Sequence, residues 1–243
     1  RDLHSFPTRR SSDLESGAVQ AGGLIVKEKS RIVSNWRATD TLENLMKHGH
    51  VTGMEKVDTR SLSLYIRDHG EMKGIIGPAA APMRTLLDKL RKWQAPKIKA
   101  GKTDKKGFTG TAQHRVALYD LGVKNSTLAQ LAQCGCEVVN IAPGTSWAEI
   151  RALNPDGLVI SSGPGDPNQA GAVVAEIGKA LGHMPILGIG MGAQLICLAS
   201  GGAVTRMKVG HHGGNYAVRD IDGRSVAITS QNHSYVMTGG PGF

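Results

Sequence analysis

Aromatic residues make up only 4% of this 243-residue chain, and cysteine is scarcer still, at three. Three thiols cannot pair off, and they are too few to stand in for a core in a chain this long. A disulfide-stapled secreted scaffold is therefore excluded, and a reducing compartment, the cytoplasm, is expected. No run approaches the roughly 18 consecutive apolar residues that a membrane-spanning helix needs, so no membrane partner is expected. What is present is a 40% hydrophobic composition with 32 glycines, which supports one large domain or two small ones and excludes fibrous and wholly disordered classes.

The formal net charge is +9, from 29 Lys and Arg against 20 Asp and Glu. Most of the excess is local. Arg91, Lys92, Lys97, Lys99, Lys102, Lys105 and Lys106 face a single acid, Asp104. Pro96, Gly101, Gly107 and Gly110 interrupt the run, and no series of aromatics is spaced through it as a base-stacking platform would be. A solvated interdomain linker is favoured over a docking segment for an acidic partner, and both over nucleic-acid binding.

The first fourteen residues, RDLHSFPTRRSSDL, lack the apolar core of a secretory signal and differ in character from the rest of the chain; residues 1–14 are read as an unrelated leader. Residues 15–92 read as a partial, smaller mixed α/β domain. In it Thr39 or Asp40 is expected to cap a helix with Leu42, Leu45 and Met46 on one face. Asp58 or Thr59 should cap a second, with Leu62, Tyr65 and Ile66 as its buried stripe and Gly70 as its stop, and GIIG (74–77) should be a short strand. Residues 93–113 form the basic linker. From residue 114 to 243 short apolar runs alternate with helical patterns: VALYDLG, KNSTLAQLAQCG, CEVVNIAP, WAEIRALNP, GLVISSGPGDP, a helix through Val173 to Leu181, PILGIG and MGAQLICLASG. That rhythm implies a doubly wound, mostly parallel α/β sheet with its site at the strand C-terminal ends, where the loops Ser162–Pro167 and Gly188–Gln194 fall.

Gly188-Ile189-Gly190-Met191-Gly192-Ala193 alone fits the dinucleotide fingerprint G-x-G-x-x-A, which makes a dinucleotide-binding oxidoreductase the alternative. Its second half is missing, because Lys208, His211 and His212 lie where an acid should bind ribose. No Gly-Lys-Ser or Gly-Lys-Thr occurs, so a Walker loop is excluded.

SSGPGDP (161–167), GIGMGAQL (188–195), MKVGHHGGN (207–215) and TSQNHSYV (229–236) resemble, in order and spacing, the class I glutamine amidotransferases. HHGGN and the upstream VDTRSL (57–62) resemble more narrowly the small subunits of carbamoyl phosphate synthases. The resemblance implies a flavodoxin-like glutaminase domain behind an amino-terminal domain special to that subunit. It also implies L-glutamine as ligand, a large synthetase subunit as partner, and no cofactor in this chain, with ATP and metal ions belonging to the large subunit. Whether the pathway is pyrimidine or arginine synthesis stays open.

Glutamine amide hydrolysis needs a thiolate at a strand-to-helix elbow, a His as base, a Glu to orient it and N–H donors for the oxyanion. The family elbow reads G-x-C-x-G-x-Q, and the position of its cysteine is Gly190 here, so no acyl-enzyme is expected. Cys197 lies seven positions further on, about 10 Å along a helix, and is expected in the core. Cys134 and Cys136 are likewise expected to pack. Ala193 stands where the family often has His, and the chain stops before the family's His-Pro-Glu segment, so Gly190→Cys alone is not expected to restore turnover. By resemblance, Met191 and Gly163 supply oxyanion N–H groups, while Gly163, Gly165, Gln194, Asn232, Ser234 and Tyr235 contact glutamine, Ser234 replacing a usual glycine. A scaffold or regulatory role beside an ammonia-using synthetase is the companion reading. His211 and His212 point to opposite faces of a strand and so should not share a metal ion; turn structure or subunit contact is expected there, and packing at His233.

Overall fold

The computed structural model describes Val19, residues 21–33, Ala38, and residues 40–94, 104–106, 112–223 and 225–239. The leader, Thr39 and most of the basic segment lie outside them. The chain divides into two units: Arg1–Gln94 with Lys208–Ser234, and Ala95–Met207 with Tyr235–Phe243. Among the described residues no helix is long and apolar enough to cross a membrane.

In the first unit β1 (Gly23–Ile25) pairs in parallel with β2 (Thr52–Met54), with α1 (Leu42–His48) between them in sequence. The cap of α1 is Thr41, whose side chain accepts from Asn44 N–H, rather than Thr39 or Asp40; Asp40 instead accepts from the Thr41 N–H and the Asn44 amide. Asp58 caps α2 (Thr59–His69) through the Arg60 and Ser61 N–H groups, and Gly70, at φ +90°, ends it. The expected stripe of α2 is not buried, since Leu62 is 36% and Tyr65 52% exposed. Amphipathic spacing fixes which face is apolar, and that face stays half open, with Ile66 half-buried and Tyr65 stacked on His69. GIIG is not a strand either: no ladder partner lies beside it among the described residues, and Ile76 instead reaches toward Gly23. A further helix, α3 (Met83–Lys92), precedes the basic segment.

Glu43 on α1 receives Lys29 Nζ and Lys47 Nζ at 2.9 Å each. Their hydrogen bonds and charges pull its carboxyl from the ordinary 4.5 down to about 2. A depressed folded-state value contributes stability that is present above about pH 4.5 and lost as pH falls toward 2. The Glu43 side-chain carboxyl followed by NMR is expected to titrate near 2, moving upward in high salt because the pair is exposed. A midpoint at the ordinary value in low salt would contradict the clamp.

The second unit holds a five-stranded sheet. β4 (His114–Tyr119) pairs in parallel with β5 (Cys136–Ile141) and β6 (Gly157–Ile160), and β6 pairs with β7 (Ile186–Gly188). The short β3 (Asp104–Lys106), inside the basic segment, runs antiparallel on β5 and completes the order β3-β5-β4-β6-β7. Helices α4 (Asn125–Gln133), α5 (Trp147–Ala152), α6 (Gly171–Ala180) and α7 (Met191–Ala199) make the connections and cover both faces. Ala117, Tyr119, Ile141 and Ile160 pack with Ile150, Ile177 and Leu195 on one side; Val116, Leu118, Val138 and Val159 meet Leu128 and Leu131 on the other. Burial on two sides is why these strands read as continuous apolar runs rather than alternating ones.

β8 (Ala203–Arg219) and β9 (Val226–Thr238) form a two-stranded ribbon, closed by the Asp220 N–H donating to the Ser225 carbonyl. So short a connection permits only antiparallel pairing. HHGGN therefore lies mid-strand, correcting the expected turn. His211 stacks on Tyr216 with ring centres 4.6 Å apart and meets His233 edge-on at 5.0 Å.

Candidate active site

β7 stops at Gly188 and α7 starts at Met191, so the chain reverses within Ile189 and Gly190. Gly190 takes φ +58° and ψ −113°, a conformation strained for any residue with a side chain and the one that a strand-to-helix nucleophile elbow imposes. The Ile189 N–H donates to the Ile160 carbonyl at 2.9 Å and fastens the turn to β6.

The three glycines of the loop have different causes. A Cβ on Gly188 would stand 2.5 Å from the Ala193 nitrogen, and one on Gly192 would overlap the Ile160 carbonyl oxygen, so both let α7 sit tightly against the sheet. A Cβ on Gly190 would meet only Ser162, its Cβ at 3.2 Å and its Cα at 3.8 Å. Space at 190 is therefore nearly sufficient for a side chain, and none is there.

That contact also brings the Ser162–Pro167 loop to the elbow. Ser161 is buried, accepting from the Leu121 N–H at 2.9 Å and donating to the Ser162 carbonyl at 3.0 Å. Gly163 packs so closely on Leu121 that a Cβ would overlap the Leu121 carbonyl oxygen, and Gly165 takes φ +112°. Asp166 accepts from the Asn168 N–H and starts a single 3-10 turn, Pro167–Gln169. The loop is built into the sheet end rather than being a free tight turn.

Of the first α7 donors, the Gly192 N–H goes to the Ile189 carbonyl, and those of Ala193 and Gln194 go to the Gly190 carbonyl. Met191, itself buried, carries the first N–H of the helix. Gln194 is 9% exposed, and its amide nitrogen donates to the Tyr235 carbonyl at 3.1 Å. Gly163, Gly165, Gly190, Met191, Gln194 and Tyr235 all belong to the second unit, Asn232 and Ser234 to the first. There Asn232 Oδ1 stands 2.8 Å from His212 Nδ1, and Ser234 Oγ donates to Glu71 Oε1 at 2.7 Å. Glu71 carries no sequence signal: it lies 141 residues from His212 and 163 from Ser234.

No thiol substitutes at the elbow. Cys197 is fully buried, with Sγ 3.7 Å from the Ala203 carbonyl and 3.8 Å from that of Gly239. Cys136 is partly buried, which raises its thiol pKa, whereas Cys134, expected to pack, is exposed because it caps the solvent end of α4. Among the described residues no three His, Cys, Asp or Glu side chains converge as a metal cluster. A cavity of about 560 Å³ in the first unit, walled by Leu24, Val26, Leu42 and Met46, is rimmed by the Lys29–Glu43–Lys47 cluster, whose charges are already paired with one another. The dinucleotide reading requires the first strand of its fold, whereas this loop follows the fourth parallel strand, β7, at the end of the sheet order.

The family model for class-I glutamine amidotransferase matches residues 117–241, and that for the carbamoyl-phosphate synthase small chain, CPSase domain, matches residues 8–76. The carbamoyl phosphate synthase small chain of Syntrophotalea carbinolica is 37% identical, over 93% of this chain and 65% of that protein. The pyrimidine-specific small chains of Halalkalibacterium halodurans and Bacillus subtilis are 36% and 33% identical, over 94% and 93% of this chain and 64% and 63% of theirs. The chain thus spans a little under two thirds of the length of these curated relatives. It belongs to the class-I glutamine amidotransferase family, and its residues 8–76 match the model of the carbamoyl-phosphate synthase small chain, CPSase domain.

Proposed function

We propose that this chain is the glutamine-binding small subunit of a carbamoyl phosphate synthase whose own hydrolytic step is silent. The observation that carries the reading is Gly190, a residue without a side chain held at φ +58° in the elbow where the family places its cysteine. Hydrolysis through a thioester requires sulfur to attack the glutamine carboxamide carbon, expel ammonia and yield the acyl group to water. The oxyanion donors assigned here, the N–H groups of Met191 and Gly163, stabilise charge only after a nucleophile has attacked. Without that attack, the groups assigned to glutamine bind it and leave its amide intact. Gly163 and Gly165 allow close backbone approach, and Gln194 anchors Tyr235.

The partner in this reading is the large synthetase subunit, which carries ATP and metal ions and uses free ammonia. The small subunit then contributes structure or regulation rather than nitrogen. L-Glutamine is expected to raise the melting temperature of the purified chain, and Gln194→Ala to weaken that response at least about tenfold by releasing the Tyr235 backbone, a loss of about 1.4 kcal/mol. Equal responses in both proteins, or none in either, would contradict the glutamine site. Co-purification with a large subunit at several salt concentrations tests the partner separately.

A further inference from the structure

The first unit carries a second cavity, which the elbow chemistry leaves unused. β1 and β2 run parallel with Ile25 beside Met54, so the chain leaves both strands at the same end. The two segments that follow are bonded to each other. The Val26 N–H donates to the Met54 carbonyl at 2.9 Å, the Lys56 N–H to that of Lys27 at 2.9 Å, and the Val57 N–H to that of Val26 at 3.3 Å. Together with the start of α2 these segments line a cavity of about 940 Å³. The carboxyl ends of parallel strands, beside the start of the next helix, are where open α/β units take their ligands.

Lys27 and Arg31 line the cavity from the first segment, Lys56 and Arg60 from the second. All four are exposed, and among the described residues none of them forms an ion pair; Lys29, also on the wall, is paired with Glu43 at 2.9 Å. Three acids share the wall with these bases: Glu28, Glu55 and Asp58. Asp58 is engaged in the helix cap, with Oδ1 accepting from the Arg60 and Ser61 N–H groups and Oδ2 from the Ser61 hydroxyl. Like charges gathered around one space repel unless an anion joins them. Lys56 adds a backbone observation. It sits at φ +64°, in the left-handed region that disfavours a residue with a Cβ, and the Lys27 carbonyl fastens it there. A lysine kept in strained backbone at the wall of a cationic cavity points to a use for its charge.

We propose that this cavity binds a small anion carrying a diphosphate group, one phosphoryl held by Lys27 and Arg31 and the other by Lys56 and Arg60. A guanidinium fork takes two phosphate oxygens at once and an ammonium adds a point charge, so one Arg and one Lys from each segment suit one phosphoryl group. The volume lies in the range of small-molecule sites, about 300–1,000 Å³, and exceeds what a single phosphate would fill. Inorganic pyrophosphate and an organic diphosphate ester share this chemistry. The apolar cavity walled by Leu24, Val26 and Met46 has Lys29 and Glu55 in common with this one, which places room for an organic group beside the charged site. The site is independent of the elbow and of glutamine.

The test uses the full chain. Pyrophosphate titrated by calorimetry at low salt is expected to bind once per chain, with an affinity that falls as salt rises. In the same titration the Arg31 and Arg60 Nε–H NMR signals should shift, a readout that needs no variant. Arg31→Gln and Arg60→Gln should each weaken binding at least about tenfold, whereas Lys89→Gln on α3, the same change of charge outside the cavity, should leave it as it is. Lys56→Gly removes the charge and relieves the backbone. It should weaken binding at least about fivefold without lowering the melting temperature of the unliganded chain, a combination that damage to the fold would not give. Butyl diphosphate separates the sources: binding at least about tenfold tighter than pyrophosphate marks an organic ester, and equal binding marks the inorganic ion. No saturable binding, shifts confined to residues outside the cavity, or undiminished binding in both arginine variants would each overturn the site.

Discussion

Purified chain mixed with L-glutamine is expected to release no glutamate or ammonia above the buffer blank, and mass spectrometry should find no glutamyl adduct. Removing the nucleophile from an acyl-transfer triad costs on the order of 10⁶ in turnover, which outweighs anything the remaining oxyanion donors supply. The same geometry predicts what Gly190→Cys does. The new side chain must sit at φ +58° and within 3.2 Å of the Ser162 Cβ. A backbone at φ +58° and ψ −113° lies outside the wells open to a residue with a Cβ and costs it about 1–3 kcal/mol, so the variant should melt lower by about 2–12 °C. Its new thiol lies at the start of α7, where the helix dipole favours thiolate. Alkylation at pH 7 should therefore be faster at that introduced thiol than at the exposed Cys134. A glutamyl thioester on the unaltered chain would end the proposal, and an introduced thiol no faster than Cys134 would show that the elbow does not activate sulfur.

The second unit is legible in the sequence because its strands are buried on both faces. Runs such as VALY, CEVVNI and GLVI leave little choice of period, and the glycines and prolines between them mark where each crossover ends. The elbow is legible for a related reason: glycines at 188, 190 and 192 directly after a strand serve either close packing or a strained turn, and here they serve both. The first unit is less readable. Spacing predicts a stripe on α2, and the stripe is there, but spacing cannot say whether anything lies against Leu62 and Tyr65. GIIG carries strand-forming residues without a neighbour to pair with, and HHGGN has turn-forming residues held extended by pairing with β9. The Glu71, His212 and Ser234 cluster escapes a sequence reading altogether, because it joins residues 141 and 163 positions apart and no local pattern encodes such a meeting.

Gly192→Ala and Gly178→Ala make the same chemical change and are expected to move stability in opposite directions. Gly178 is an exposed interior position of α6, where the nearest atom to an added Cβ is the Ala199 carbonyl oxygen at 4.0 Å. Alanine there restricts the unfolded chain and favours helix, so a gain of about 0.5–1 kcal/mol is expected. Gly192 enjoys the same helical preference, but its Cβ would overlap the carbonyl oxygen of Ile160. That oxygen already accepts the Ile189 N–H at 2.9 Å, so it cannot move aside without loosening the elbow. The alternative is for α7 to lift away from β6, which would open the contacts Leu195 makes in the core. Overpacking of a core costs about 1–3 kcal/mol and occasionally more; backbone against backbone is the unforgiving case, and about 3 kcal/mol is expected after the helical gain is subtracted. Urea melts should show a lower midpoint with unchanged slope for Gly192→Ala and a higher midpoint for Gly178→Ala. If Gly192→Ala proved as stable as the parent, α7 would not pack on β6 this closely, and the conformation assigned to Gly190 would lose its support.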